Sequence, residues 1–323
     1  MKRNLVLTVG LALLGSCAVL VGLGLTGRAN VLPKGQGLPE KDIVFTPEDA
    51  SDSLGFINAD GTGFETRTLE ISEGFLRDLA RLSTLSPSGW ITWGPDGRSL
   101  AGSIGRYYTG AGVPFVITAD GSLQFCPDGD DSTPFSSARS WIVGGSTILT
   151  IDEYPSEDPD RVLLMNMATC IVQEVLYEQG PNEGIEEAAL SSDGWLAIAV
   201  GRRDPLTGET SRWIALIDPQ GAEVAAVADG RWPAWSRDGE WLVYTVNEDG
   251  LHIVRKEGTE DRKVLDAPKV GPASWSPDGQ WLAYDRPTGA GTEGIYKVDL
   301  ASGEEVEIYR GGFYPNWSWR QSD

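Results

Sequence analysis

Bond chemistry finds little support among this sequence's acids and its single imidazole. His252 is the only histidine in 323 residues. It lies in the strand-like run Leu251–Val254, and one imidazole cannot form the multi-histidine set of a zinc site. A histidine inside a strand more often packs or faces solvent than acts as an acid or base. No G-x-S-x-G stretch occurs, so a nucleophile elbow is absent from the sequence. The 47 acidic residues could supply the carboxylate pair of a glycosidase, but no spacing singles out a pair. The densest acidic loops, Asp128–Asp131 and Asp152–Asp160, lack the spaced ligands of an EF-type calcium loop. Pro155 and Pro159 interrupt the second, and both read as solvated surface. No cofactor or metal is implied.

Side chains suited to recognition are better represented. Aromatic residues and Arg most often anchor protein partners. Loops of unequal length contribute Arg106, Tyr107, Tyr108, Tyr154, Arg202, Arg203, Arg212 and Arg286, and two other connections contribute Trp232 and Tyr314. Arg202-Arg203 is the best pair on an acidic chain. It could meet a carboxylate or phosphate group, and its plainer use is a bridge to Asp204 or Glu209. Solvated loop surface or packing is the ordinary alternative for each of these residues. The formal charge of −21 argues against nucleic acid, which needs clustered Lys and Arg.

The elements that must position these residues come from a repeat. Its fullest copy is Ala273-Ser274-Trp275-Ser276-Pro277-Asp278-Gly279-Gln280-Trp281-Leu282-Ala283-Tyr284-Asp285. Two strand-like runs flank Pro277-Asp278-Gly279, where Pro presets φ, Asp can bond its own backbone and Gly supplies φ > 0. Copies recur at Ala234–Tyr244, Leu190–Ala197 and Trp93–Ala101. A degenerate copy spans Trp141–Leu149, and Pro315–Trp319 gives only a first half. The turn glycines fall at 97, 145, 194, 239 and 279, so the gaps are 48, 49, 45 and 40 residues. That period, with four short strands per unit, is the signature of a β-propeller. The repeated Trp93, Trp235, Trp241, Trp275, Trp281 and Trp317 hold fixed places in the unit, which predicts core packing between blades rather than a stacking site.

The copies resemble the TolB-like propeller family, whose repeat reads roughly [AP]-x-W-S-P-D-G-x-x-[LIV]-[AV]-[FY]. The resemblance covers about residues 42–320. It implies an all-β, six-bladed β-propeller of four-stranded antiparallel blades, and a binding or scaffold role with a protein or envelope partner. The motif itself is architectural and does not say what a blade binds. The family namesake carries an added N-terminal α/β domain that finds no counterpart in this sequence, so partners specific to the Tol system are not carried over.

Blades are expected at 42–71 with 313–320, 89–126, 139–177, 188–227, 232–265 and 273–309. The first lacks an inner strand that Tyr314–Trp319 supplies, a terminal strand closure that removes open edges. Second turns fall at Asp60-Gly61, Asp120-Gly121, Gln220-Gly221, Glu257-Gly258 and Ser302-Gly303. Because strands alternate in direction, all short Gly turns share one face of the disk. The loops after each second strand and the links between blades share the other, and this long-loop face is the functional candidate. The same alternation puts Cys126 and Cys170 on opposite faces, which predicts no disulfide between them. Glu73–Leu82 has helical spacing at Phe75, Leu79 and Leu82.

Residues 1–27 read as a membrane anchor or signal segment. Lys2 and Arg3 precede Leu5–Leu25, which is 21 residues without a charge. As an N-terminal hydrophobic anchor helix it would reach ~31 Å, enough to span the hydrocarbon core. A rival reading is a lipobox at Leu14-Gly15-Ser16-Cys17, with lipid on Cys17; simple secretion is a third. All three place the domain outside the cytoplasm, membrane-anchored in the first two. Residues 28–41 read as a linker. The expectation is a monomeric, extracytoplasmic protein-binding propeller without catalytic residues; the alternative is a hydrolase of envelope glycans or peptides using acids at the pore mouth.

Overall fold

Each repeat turn is closed by its own side chains. In the computed structural model, the Ser276 hydroxyl donates to Asp278 Oδ1 at 2.5 Å and accepts the Trp281 N–H at 2.9 Å. Asp278 Oδ1 also accepts the Gln280 N–H at 3.0 Å, and Gly279 takes φ 69°. Ser236, Asp238 and Trp241 repeat the arrangement at 2.6 and 2.9 Å, as do Ser191, Asp193 and Trp195 at 2.5 and 2.8 Å. The S-x-D-G-x-W spelling is thus a self-satisfied turn. The structure describes residues 27–30, 37–49, 53–68, 86–105, 112–125, 141–143, 147–152, 159–289 and 291–320.

Among these, 25 strands form six antiparallel sheets. Strand β1 (Gly27–Asn30) is followed by β2 (Ile43–Pro47), β3 (Ser53–Ile57) and β4 (Glu65–Thr68) of the first blade. The second blade holds β5 (Ser86–Trp93), β6 (Leu100–Gly105), β7 (Gly112–Ile117) and β8 (Ser122–Phe125). The third holds β9 (Trp141–Val143), β10 (Thr147–Asp152), β11 (Arg161–Asn166) and β12 (Ile171–Glu178). The fourth is β13 (Glu183–Leu190), β14 (Leu196–Arg203), β15 (Thr210–Ile217) and β16 (Glu223–Ala228). The fifth is β17 (Gly230–Trp235), β18 (Trp241–Val246), β19 (Gly250–Arg255) and β20 (Arg262–Asp266). The sixth is β21 (Ala273–Trp275), β22 (Trp281–Pro287), β23 (Glu293–Asp299) and β24 (Glu305–Arg310), and β25 (Gly312–Trp317) returns to the first blade.

The first sheet runs β25-β2-β3-β4. Ile43 pairs with Trp317 and Val44 with Asn316, so the last strand supplies the missing inner strand and the ring closes as expected. Across the next joint, Asn316 Oδ1 accepts the Trp93 N–H at 2.9 Å. The repeated tryptophans bind blade to blade. Trp235 Nε1 donates to the Ala189 carbonyl at 3.1 Å, and Trp275 Nε1 to the Ala234 carbonyl at 3.0 Å, each on the preceding inner strand. Burying such an indole contributes on the order of 4–6 kcal/mol.

Two features depart from the sequence reading. The segment read as a linker starts within β1, which pairs antiparallel with β8 and makes the second sheet five-stranded. It covers the free N–H and C=O row of an outer edge. Cys170 is disulfide-bonded, its partner lying outside the described residues. Strand direction had left it unpaired, but Cys170 sits in the turn before β12 at φ 55°, where direction does not govern the side chain. The anchor at 5–25, Cys17, Cys126 and the helix at 73–82 also lie outside the described residues, and no helix among those described is long and apolar enough to cross a membrane.

Candidate binding site

The inner strands surround a cavity of about 120 Å³ on the ring axis. Its lining includes Trp232, Pro233, Pro272, Tyr314, Pro315 and Trp319. Since β17 and β25 start on the long-loop face, Trp232 and Tyr314, each third in its strand, stand near that mouth. Trp319, just past the end of β25, also lines the cavity. A cavity of this order takes one ring-sized group.

Both mouth aromatics are held unusually. Trp232 has φ 57° and Tyr314 φ 55°, the left-handed region that bulky side chains avoid. Each sits in a register shift of its inner strand, between Arg231 and Ala234 in one case and opposite Val44/Thr46 in the other. Each is followed by Pro. Each has its backbone N–H anchored by a carboxylate of the preceding blade. Glu187 accepts from Trp232 at 3.0 Å, and Asp285 accepts from Tyr314 at 2.9 Å. A β-bulge re-aims a side chain, and strain of this sort clusters at functional sites.

Asp285 is only 6% exposed. Burial first, and the neighbouring Glu293 after it, push its carboxyl up to about 7 against the lowering effect of the Tyr314 N–H. Glu293 is also raised, by burial and then by Glu48. No group of three Asp, Glu, His or Cys among the described residues is arranged to hold a metal.

Three of the arginines that the sequence offered, Arg202, Arg212 and Arg286, are engaged within the chain. Arg202, next to last in β14, forms an ion pair with Glu183 and lies 5.0 Å over the Trp213 ring, rather than bridging to Asp204 or Glu209. Arg203 is exposed beside it. Arg212 donates to Glu186 at 2.8 Å. Arg286 holds Glu305 through two bonds of 2.8 and 2.9 Å and covers the Tyr296 ring. Arg106, Tyr107, Tyr108 and Tyr154 lie outside the described residues. His252 sits between Asp249 at 2.7 Å and Asp261 at 3.7 Å, on the fifth blade. Of the sequence candidates among the described residues, the cavity gathers only Trp232 and Tyr314, and these lie inside strands rather than in links. Asp285 and Glu187 were not singled out. The recurrent aromatic-Pro pair three residues before Trp235 and Trp317 was the available signal.

No family model matches the sequence, and neither does any curated protein. Solved structures do match in fold, which is a TolB-like six-bladed β-propeller. TolB from Acinetobacter baumannii is similar over 89% of this chain and 68% of its own, at 15% identity and TM-score 0.56. A protein assigned as TolB from Agrobacterium tumefaciens is similar over 85% and 97%, at 13% identity and TM-score 0.50. Hydrazine synthase from Kuenenia stuttgartiensis is similar over 87% of this chain and 47% of its own, at 12% identity and TM-score 0.54. Identities this low carry the fold and no function, and the same architecture serves binding proteins and enzymes alike.

Proposed function

We propose that this chain is a protein-binding propeller that takes a ring-sized or apolar side chain of an extended partner segment into the long-loop mouth of its axial cavity. The observation that carries this reading is the pair Trp232 and Tyr314, both forced into left-handed backbone at the rim of an apolar cavity. Rigid aromatic anchors around a desolvated pocket are what hot spots are made of. In this reading the segment 5–25, or lipid on Cys17, tethers the propeller outside the cytoplasm as a monomer, and the partner is a protein or other envelope component.

A second reading is a hydrolase, favoured by one observation: Asp285 is a carboxyl raised to about 7, as a general acid is. Against it, the carboxyl is buried behind Gly271 and does not line the cavity. Affinity capture on the full chain in detergent, from solubilised envelope, separates the readings. One protein captured stoichiometrically, lost with Trp232→Ala/Tyr314→Ala and kept with Arg202→Ala/Arg203→Ala, supports the cavity as the binding site. Capture that survives the cavity variant moves the site elsewhere. Capture of nothing above background sinks a stable partner and turns the search to glycan and peptide substrates.

A further inference from the structure

Asp285 does not touch the cavity, yet it governs a residue that does. Its carboxylate accepts the Tyr314 N–H, and that bond fixes the bulge carrying the aromatic wall of the mouth. The fit around it is close: a Cβ on Gly271 would lie 2.4 Å from Oδ2. The groups that face it are few. From β23 comes Glu293, whose Oε2 is buried without a hydrogen-bond partner. Behind Glu293 stands Glu48, just past β2. The backbone nitrogen of Glu48 donates to the Gly311 carbonyl at 2.8 Å, and the Gly311 N–H donates to the Glu293 carbonyl at 2.7 Å. The lead into β21 brings only Gly271. Strand β18 brings Thr245, whose hydroxyl donates to the Gly271 carbonyl at 3.0 Å. Along β22 itself, Arg286 is held by Glu305. Among the described residues, no cation offsets the carboxyls of Asp285, Glu293 and Glu48.

We propose that Asp285 is a positioning residue for the binding mouth. Ionised, it clamps Tyr314 in place; protonated, it loosens that wall, so the cavity takes its occupant more tightly above neutral pH than below. A hydrogen bond to a charged acceptor is roughly twice as strong as one to a neutral acceptor. Protonation therefore weakens the bond that holds a strained left-handed residue, and the residue relaxes. Two joints away, Glu187 likewise accepts the Trp232 N–H, at 3.0 Å, so a carboxylate holding a mouth aromatic by its backbone occurs twice in the ring. This inference rests on the mouth being the binding site, and the experiment keeps the two apart.

The full chain, labelled with ¹⁵N-tyrosine, carries nine tyrosines, and Tyr314→Phe assigns the one of interest by its disappearance. The Tyr314 amide is followed from about pH 5 to about pH 9. The expected result is a single titration with its midpoint near 7, absent in Asp285→Asn. A flat profile in the wild-type chain, which needs no variant, overturns the proposal. So does the same inflection persisting in Asp285→Asn. The second arm uses 5-fluoroindole as a cavity probe read by ¹⁹F NMR. Its affinity is expected to be about three- to tenfold higher near pH 8 than near pH 6, with the ratio close to one in Asp285→Asn. Equal probe affinity at both pH values beside a titrating amide overturns the coupling to the cavity. Absence of probe binding at every pH sinks the mouth as a binding site, while the amide titration alone still decides the role of Asp285.

Discussion

Replacing Asp285 with Asn should stabilise the protein at alkaline pH and leave it unchanged in acid. The folded carboxyl titrates near 7, against 3.8 for the ordinary group. Between those values the native state holds a proton that the unfolded state has released, so stability falls as pH rises. The contribution is fully present below the unfolded value and is lost once pH passes the folded one. About three pH units at 1.36 kcal/mol each give an upper figure of about 4 kcal/mol. Relaxation around the ionised group brings the expected gain for Asp285→Asn down to about 1–4 kcal/mol at pH 8. The carboxamide keeps the volume and an oxygen for the Tyr314 N–H, and its amide can donate toward Glu293. Urea titrations of both proteins near pH 5 and pH 8 span about two of those three units, so the difference of differences, in which other titrating groups cancel, is expected at up to about 2.7 kcal/mol. A variant deficit that is the same at both pH values would refute the reasoning. A less stable variant at pH 8 would show that the ionised carboxylate is net favourable in place.

Two more outcomes follow from the packing. Trp317→Ala removes the buried indole of the closing strand and should cost about 3–5 kcal/mol in urea unfolding; a loss under about 1 kcal/mol would mean that the ring does not depend on this joint. Ser276→Ala deletes a hydroxyl that is 2% exposed and leaves Asp278 and the Trp281 N–H without it. The expected cost is about 1–3 kcal/mol, checked by the shift in thermal midpoint, and Ser236→Ala should match it because the turn is the same.

The legible part of this chain was its short-range chemistry. Ser276, Asp278 and Gly279 lie within four positions of one another, so their hydrogen bonds are written in the spacing, and alternation of strand direction then sorts the turns to one face. The closing strand was legible because a half repeat at Pro315–Trp319 answered a blade lacking its first strand. Strand β1 was not, since Gly27–Asn30 has four residues, no alternation and a partner near residue 124. The carboxylate clamps were hidden for the same reason. Asp285 and Tyr314 meet only when the ring closes, and Thr245 fills the equivalent place in the fifth blade. The arginines misled because exposed Arg is cheap to place in a loop, and Glu183 and Glu305 claim two of them once the sheets form.

Pairing of Ile43 with Trp317 also sets the order of events during synthesis. The first blade to leave the ribosome is the last to be completed. Until residue 317 emerges, β2 presents an unpaired edge. Ile43 and Phe45, both buried in the finished ring, lack the cover of Trp317. Loop closure over nearly the whole domain must come before that contact gives any return, which makes the final step slow and concentration-sensitive. The vulnerable species is therefore a nascent ring open at one joint, and a holding chaperone would have to shield that edge until the clasp shuts.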